Sequence, residues 1–434
     1  MKHKSRYNRT ETISYKVIIS IITEYILEIA FNFEYNLNGG DNMVRRDYYI
    51  NELLKYKDKP IIKILTGLRR VGKSVLLDLF IDELYNNTVG KEQVLKLNFE
   101  LPENFIIQDY KDLSNRVLKW GEGKSGKLYL FLDEVGRVED WEKAVNGFHA
   151  LNNFDIYVTG SNADLLSSDL STYLAGRYVE ILIHPFSFKE FKELKPQGTL
   201  REYMVFGGMP SAITFGFDYD ISMNILRDQF KSAVLQDVIQ RNSIRNTDIL
   251  ERLIEYVFSN TGNTFSALSI SKYLKSQRMN VSVDTILNYI NIITNAFLIY
   301  KVKRNDLIGK SILKTEEKYY IADQGIREAI IGNNENIIEM LLENIVYIEL
   351  LRRGYTVYIG KVNNREIDFV AKKGKLTKYY QVCYIMESEK TRDREFGVYE
   401  SIRDNFEKYV LSMDNVDFSQ NGIIHMNIED FLLE

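Results

Sequence analysis

An eight-residue loop motif constrains the fold of this chain more than any other feature. The pattern G-x-x-x-x-G-K-[ST] is matched at every fixed position by Gly67, Leu68, Arg69, Arg70, Val71, Gly72, Lys73 and Ser74, and Val75 follows it. A β-branched run at 61–66 precedes the motif, and a helix-forming run at 75–84 follows it. This order of strand, loop and helix predicts a phosphate-binding loop, in which glycines let backbone N–H groups face phosphate oxygens at a helix N-terminus.

The residues of this loop predict a site for ATP and Mg²⁺. Lys73 would neutralise the β- and γ-phosphates, and the Ser74 hydroxyl would hold the metal. Arg69 and Arg70 lie within the loop, and we expect one to face phosphate and the other to face solvent.

Two acidic residues follow an apolar run further along the chain. Leu128–Leu132 reads as a buried strand and ends in Asp133 and Glu134. Because parallel sheets present functional groups at the carboxyl ends of their strands, both residues should lie beside the loop. Asp133 would then hold Mg²⁺ and Glu134 would act as general base for the attacking water. The alternative is an acidic surface turn.

Polar residues also follow the next predicted strand. The run at 155–160 delivers Ser161 and Asn162, either of which could sense the γ-phosphate. The alternative is a helix N-cap, since both residue types favour that position.

An arginine before a further strand is a candidate for stabilising charge on the γ-phosphate. Arg177 precedes the run at 178–183 and could act in cis or toward a neighbouring subunit, or could form a structural salt bridge. Asn98 and Glu100 could join a water network near the phosphates, or could have an ordinary loop role.

These segments resemble a widespread archaeal and bacterial AAA-type P-loop ATPase family. The resemblance rests on GLRRVGKS at 67–74, FLDEVGRVEDWE at 131–142, TGSNADLLS at 159–167, LAGRY at 174–178, PFSFKEF at 185–191, FGGMP at 206–210, KYYIADQGIREAI at 318–330, LLENIVYIELLRRGYTVYIGK at 341–361, REIDFVA at 365–371 and YYQVCYI at 379–385. It covers 43–434 and implies an α/β protein with a P-loop parallel-sheet ATPase domain, a helical and winged-helix middle, and an α/β C-terminal domain with a restriction-endonuclease-like fold.

A length of 434 residues predicts about three domains. We expect an ATPase domain at 43–200, a helical and winged-helix region at 201–310 and a nuclease-like domain at 311–434. Residues 1–42 fall outside the resemblance, and Gly39-Gly40-Asp41 can be encoded by a purine-rich string that resembles a bacterial ribosome-binding site. We therefore expect Met43 to be the native start and 1–42 to be a non-native or disordered extension. A weakly ordered N-terminal helix is the alternative.

The middle region has the outline of a winged helix. Helical patterns over 265–274 and 282–290 flank a turn at 278–280, and a strand-like run at 298–302 follows. Basic residues exceed acidic residues by three over 246–310, a weak signal for nucleic-acid binding. The alternative is a module used only for packing between domains.

The C-terminal region has the element order of a nuclease core without its full set of chemical groups. A helix at 339–353 precedes strands at 356–359, 366–371 and 378–384, which places Asp368 on the second strand with Glu343 in support. Such a core needs a carboxylate and a lysine on the third strand. Because Gln381 and Cys383 occupy those positions, the sequence predicts a nuclease-derived scaffold that has lost the reaction.

Composition limits the remaining classes of function. One cysteine excludes an intrachain disulfide, and four histidines make a zinc site a poor interpretation. A net charge of −4 gives no global case for nucleic-acid binding. Because no stretch of about 20 clean apolar residues is present, we expect no membrane contact and a cytoplasmic location. The sequence identifies no protein partner, and an oligomer stays open.

Three functions compete at this stage. The first is an ATPase that couples Mg-ATP binding and hydrolysis to rearrangement of its C-terminal modules. The second is a nucleic-acid-binding ATP switch that uses the winged helix and the degenerate nuclease fold. The third is a signalling or scaffold module that binds ATP and turns it over slowly.

Overall fold

The computed structural model describes residues 43–434 except for 161–173, 175, 215, 243, 245, 308–310 and 363–364. Residues from Arg46 to Glu434 form one compact unit. The extension predicted at 1–42 lies outside the described residues.

A five-stranded sheet forms the base of the first half of the chain. Its strands are β1 (Ile62–Thr66), β2 (Val94–Asn98), β3 (Leu128–Asp133), β4 (Phe154–Thr159) and β5 (Tyr178–Leu182). They lie in the order β2-β3-β4-β1-β5, and every pair is parallel. β1, β3 and β4 are buried along their whole length, which matches their near-continuous apolar runs. This sheet confirms the predicted P-loop parallel-sheet architecture.

Four helices accompany this sheet, and the last two of them contribute to its core. They are α1 (Asp47–Tyr56), α2 (Lys73–Asn86), α3 (Tyr110–Gly121) and α4 (Trp141–Ala150). The Asp109 side chain caps α3 by accepting hydrogen bonds from the N–H groups of Lys111 and Asp112. Trp141 and Phe148 of α4 join the core built from β1 to β4.

The middle of the chain is helical. Its helices are α5 (Phe188–Leu194), α6 (Leu200–Phe206), α7 (Pro210–Thr214), α8 (Tyr219–Ala233), α9 (Thr247–Ser259), α10 (Ala267–Ser276) and α11 (Val283–Asn295), and a π-helical segment (Val234–Gln240) continues α8. Side chains of Ser266 and Ser282 cap α10 and α11. The turn between these two helices contains Arg278 at φ 64°, so the helix pair and its turn lie where the sequence predicts them.

A second, mixed sheet of seven strands occupies the C-terminal half. Its strands are β6 (Ile299–Asp306), β7 (Ser311–Ile321), β8 (Thr356–Val362), β9 (Arg365–Lys373), β10 (Leu376–Val382), β11 (Glu407–Ser412) and β12 (Ile423–Asn427). The helices of this half are α12 (Gln324–Ile330), α13 (Ile338–Arg352), α14 (Glu389–Gly397) and α15 (Ile428–Leu433). The strand order is β12-β11-β10-β9-β8-β6-β7. The α/β class is therefore confirmed for both halves.

The predicted domain boundary between residues 310 and 311 needs correction. β6 and β7 form an antiparallel hairpin, and β6 also pairs with β8 of the C-terminal sheet. The boundary would divide this hairpin and separate β6 from the sheet that it joins.

No helix among the described residues is long and apolar enough to cross a membrane.

Candidate nucleotide site

The loop between β1 and α2 adopts a conformation that requires glycine at both of its fixed glycine positions. Gly67 and Gly72 have φ values of 140° and 88°. A Cβ atom on Gly67 would lie 2.3 Å from the Ile183 carbonyl oxygen. The loop is therefore held against the chain that leaves β5, at the carboxyl edge of the sheet.

Lys73 is buried within the loop that it ends. Its Nζ donates hydrogen bonds to the carbonyl oxygens of Gly67 and Leu68, at 3.2 and 3.3 Å. It also lies 4.0 Å from Glu134 Oε1. Burial lowers the pKa of Lys73, while the Glu134 carboxylate opposes this shift. The ammonium group therefore lies at the centre of the loop with a carboxylate beside it.

Asp133 ends β3 and is fully buried. Its Oδ1 accepts hydrogen bonds from Ser74 Oγ at 3.0 Å and from Thr159 Oγ1 at 2.5 Å. Its Oδ2 accepts no hydrogen bond from any described residue, and Lys96 Nζ lies 3.9 Å from it. Burial raises the pKa of Asp133. A carboxylate with an unsatisfied oxygen beside a hydroxyl matches the oxygen ligands that Mg²⁺ prefers.

Glu134 lies next to this pair in a left-handed backbone conformation, at φ 53°. Its N–H group donates to Thr159 Oγ1 at 2.9 Å, so the same hydroxyl binds both acidic positions. Burial raises the pKa of Glu134, and Lys73 counteracts that shift. A carboxyl group with a raised pKa is suited to accept a proton near neutral pH.

The two loop arginines differ in their surroundings. Arg70 is exposed to solvent, at φ 67°. Arg69 donates through Nε and Nη2 to the two carboxylate oxygens of Asp237, at 3.1 and 3.0 Å. Sequence reasoning missed Asp237, which lies 168 positions away. It also gave Thr159 no role. The signal was its position at the carboxyl end of β4, the strand that pairs with β3.

Arg177 lies at the opposite end of the sheet from the loop. Its carbonyl oxygen accepts from the Ile62 N–H group at the start of β1, and its guanidinium contacts the side chain of Asn146. The five residues of β1 separate this position from Gly67, a distance of about 16 Å at roughly 3.3 Å per residue. The expectation that Arg177 acts in cis is therefore wrong, and only a role toward a neighbouring subunit stays a prediction. Ser161 and Asn162 lie outside the described residues.

Asn98 and Glu100 lie at the end of β2, near the acidic pair. The Asn98 side chain accepts from the Glu100 N–H group at 2.8 Å, and Arg137 donates to Glu100 at 2.6 Å. Glu100 contributes to the electrostatic field at Glu134. The placement is compatible with the predicted water network, which stays a prediction.

Asp368, Glu343 and Gln381, which the sequence predicts to belong to a degenerate nuclease core, line a cleft of about 810 Å³ in the C-terminal half. Asp368 on β9 accepts from the Val382 N–H group at 2.8 Å, and its own N–H group donates to the Gln381 side chain at 3.3 Å. Glu343 on α13 also lines the cleft. Burial, followed by the charge of Glu343, raises the pKa of Asp368 well above its usual range.

A lysine that sequence reasoning missed pairs with two acidic residues that line this cleft. Lys318 on β7 lies 3.0 Å from Glu343 and 2.7 Å from Glu366. Cys383 is buried and lines no part of the cleft. Among the described residues, no group of three or more His, Cys, Asp and Glu side chains is arranged to hold a metal.

Comparisons with known proteins agree with this description. A family model described as an AAA domain matches residues 59–192, and one described as a domain of unknown function (DUF8612) matches 197–336. An uncharacterized protein of Haemophilus influenzae is 39% identical over 401 residues, which cover 90% of this chain and 99% of that protein. An uncharacterized protein of Methanocaldococcus jannaschii is 30% identical over 390 residues, or 85% of this chain and 83% of that protein.

Among solved structures, the chain is similar to a Walker-type ATPase of Pyrococcus abyssi, with a TM-score of 0.47 and 16% identity over 66% of this chain and 95% of that one. A structure of the Aeropyrum pernix Orc1 protein in complex with DNA matches with a TM-score of 0.28 and 11% identity, over 66% of this chain and 90% of that one. The bacterial and archaeal relatives, by contrast, align over 99% and 83% of their own lengths. The chain therefore belongs to their family, and it carries an AAA domain followed by the DUF8612 domain.

Proposed function

We propose that this protein is a Mg²⁺-dependent ATPase that uses ATP binding and hydrolysis to rearrange its C-terminal modules. The observation that carries the proposal is the convergence of Lys73, Ser74, Asp133 and Glu134 at one edge of the parallel sheet. Ser74 Oγ lies 3.0 Å from Asp133 Oδ1, and Lys73 Nζ lies 4.0 Å from Glu134 Oε1. These are the side chains that phosphate, metal and water require in phosphoryl transfer.

Each of these side chains has a distinct task in the proposed reaction. Lys73 binds the phosphates and neutralises their charge, together with the N–H groups of the loop. Ser74 and Asp133 would hold Mg²⁺, which neutralises phosphate charge when it is bound. Glu134 orients the attacking water and accepts its proton on the carboxylate.

Contacts between the AAA domain and later segments support the proposed rearrangement. The Phe186 N–H group of the AAA domain donates to the Gly208 carbonyl oxygen at 2.7 Å, and the Gly208 N–H group donates to the Asp323 carboxylate at 2.7 Å. The Arg352 guanidinium on α13 donates to the Pro185 carbonyl oxygen at 2.8 Å. Such direct contacts allow a change near the nucleotide to alter how the later segments pack.

Two substitutions test the ATPase assignment. Lys73→Ala should weaken Mg-ATP binding strongly, because the phosphate charge loses its main counter-ion. Glu134→Gln should retain Mg-ATP binding and lose turnover by about 100-fold or more, since only the base is removed. Nucleotide affinity by calorimetry and phosphate release would be measured, with Lys119→Ala at an exposed position on α3 as the control.

Unchanged affinity in Lys73→Ala would contradict the nucleotide site. Wild-type turnover in Glu134→Gln would show that water is activated elsewhere. Slow turnover in both the wild type and Glu134→Gln would favour a scaffold module that binds ATP and whose function does not depend on hydrolysis.

Hydrogen exchange of the Glu134→Gln variant tests the proposed rearrangement. Exchange in α8 and α12 is expected to differ between the Mg-ATP and Mg-ADP states, because α8 continues into the π-helical segment that binds Arg69 of the loop, and α12 packs against α8. Identical exchange in the two states would contradict coupling between nucleotide and C-terminal modules.

A second candidate function is a nucleic-acid-binding ATP switch. The observation that favours it is a row of exposed basic side chains, Lys272, Lys275 and Arg278, on α10 and the turn that follows it. We would test it by titrating salt against binding of labelled duplex DNA. An electrostatic interface loses affinity steeply as salt rises and loses more when Lys272 and Lys275 become glutamate. Equally weak DNA binding by the wild type and the variant would indicate that the region of α10 and α11 serves only to pack between domains.

A further inference from the structure

An ion pair connects the phosphate-binding loop with the helical region outside the AAA match. Arg69 is the third residue of the loop, and Asp237 lies in the π-helical segment that continues α8. The guanidinium donates through two nitrogens to the two carboxylate oxygens, at 3.1 and 3.0 Å. A two-point pair of this kind fixes the plane of the guanidinium as well as its distance.

The pair lies close to the groups that handle phosphate. The charges of Arg69 and Asp237 both act on Lys73, and the charge of Arg69 also acts on Glu134. Burial alone would lower the pKa of Arg69, but the Asp237 carboxylate outweighs burial and the pKa is raised. The guanidinium therefore keeps a full positive charge beside the phosphate-binding loop.

The partner carboxylate is held by the surrounding helices. The Asp237 side chain is 4% exposed, against 21% for Arg69. Val234 and Val238 of the same π-helical segment are buried, and Asn242 donates to the Val238 carbonyl oxygen at 2.9 Å. A π-helical turn widens the helix locally and is found most often at functional sites.

We propose that Asp237 is a positioning residue that orients Arg69 toward the phosphates of bound ATP. The inference rests on the proposed ATPase function. If the proposal holds, turnover depends on packing of the π-helical segment against the loop. A displaced Asp237 would no longer fix the orientation of the Arg69 guanidinium. Any partner or nucleotide state that moves this segment then regulates hydrolysis through Arg69.

Steady-state turnover of the full chain tests the inference. Arg69→Ala should lower kcat by about 100-fold, the scale of losing one charged donor to a transition state. Asp237→Asn should lower kcat by about 10-fold while KM for ATP changes by less than about threefold. Asp228→Asn, at an exposed position on α8, is the matched control and should behave as wild type.

The combined variant Arg69→Ala/Asp237→Asn shows whether Asp237 positions Arg69 or only stabilises the fold. If Asp237 acts through Arg69, the combined variant turns over no more slowly than Arg69→Ala alone. If Asp237 only stabilises the fold, Asp237→Asn should lower the melting temperature and leave kcat unchanged at a temperature where the protein is folded. Asp237→Glu keeps the charge and should retain more turnover than Asp237→Asn.

Nucleotide preference gives an independent readout. In the Glu134→Gln background, Arg69→Ala should reduce the preference for ATP over ADP by about tenfold, if Asp237 orients the guanidinium toward the γ-phosphate as proposed. An unchanged kcat in Asp237→Asn would overturn the inference. So would a reduction of kcat in the combined variant equal to the product of the reductions in the two single variants. If Lys73→Ala also leaves nucleotide binding intact, then the proposed function itself fails, which is a separate result.

Discussion

At the scale of single residues, the nucleotide site is built from charges that burial makes unfavourable. Burial lowers the pKa of Lys73 and raises the pKa values of Asp133 and Glu134. Each shift favours the neutral form, and each is limited by a hydrogen bond or an opposite charge nearby. The arrangement is suited to a ligand that brings its own charge, because phosphate and a divalent ion would compensate the buried groups.

The raised pKa of Glu134 predicts a pH dependence of turnover. The general base must be ionised, so kcat should fall on acidification with an apparent pKa above the ordinary glutamate value of 4.5. Rates would be measured from about pH 4 to 8 with saturating Mg-ATP, a range that includes the ordinary glutamate value. The residual rate of Glu134→Gln should lack this acidic limb.

A limb at the ordinary glutamate value would contradict the assignment of a perturbed base. A limb that persists unchanged in Glu134→Gln would assign the titration to another group.

At the scale of elements, the segment 206–210 joins the AAA domain to the rest of the chain through close backbone contacts. A Cβ atom on Gly208 would lie 2.2 Å from the Phe186 carbonyl oxygen. A Cβ atom on Gly325 would lie 2.2 Å from the Phe206 carbonyl oxygen. Asp323 accepts from the Gly208 N–H group, and burial raises its pKa to about 6 against these N–H donors. Two backbones therefore meet here with no room for a side chain.

We predict that Gly208→Ala destabilises the protein by about 3 kcal/mol, because a methyl group cannot fit against a fixed carbonyl. Chemical denaturation would measure the free energy of unfolding. Gly147→Ala is the matched control, since a Cβ atom at that helical position of α4 meets no atom within 4 Å. It should leave stability unchanged or raise it by about 1 kcal/mol.

Equal effects of these two glycine substitutions would show that the close approach at 206–210 is not rigid. Loss of ATP turnover in Gly208→Ala without loss of stability would instead indicate that the contact transmits the nucleotide state.

At the scale of the whole molecule, the C-terminal cleft keeps acidic groups without the full set of a metal-dependent nuclease. Glu343 and Glu366 are paired with Lys318, and Asp368 carries a strongly raised pKa. Gln381 provides an amide where a metal site needs an anion. Two of the acidic groups of the cleft are therefore already paired with a lysine of the protein.

We predict that the protein cuts neither DNA nor RNA with Mg²⁺ or Mn²⁺, with or without ATP. Supercoiled plasmid and single-stranded RNA would be assayed beside Asp368→Ala. Cleavage by the wild type that Asp368→Ala abolishes would make the protein an ATP-regulated nuclease. Lys318→Ala should not create cleavage, because removing the lysine leaves the third-strand carboxylate still missing.

Local patterns were sufficient for the elements that carry the candidate nucleotide site. The strand before Gly67, the helix that begins at Lys73 and the strand that ends at Asp133 follow from apolar runs and from glycines at fixed spacing. Parallel pairing then brings the strand ends to one edge, so Lys73, Ser74, Asp133 and Glu134 lie together as the sequence predicts. Their chemical roles stay predictions. The element order of the C-terminal half was also readable from its alternation of helix and strand.

Long-range packing decided what these patterns could not show. Arg69 and Asp237 are 168 positions apart, and nothing near Asp237 in the sequence indicates its partner. Arg177 precedes a strand of the same sheet, but its distance from the loop follows from strand direction. Lys318 reaches the C-terminal cleft only because the hairpin of β6 and β7 joins that sheet. A sequence encodes turns and buried faces locally, whereas the contacts between distant side chains depend on which of those faces pack together.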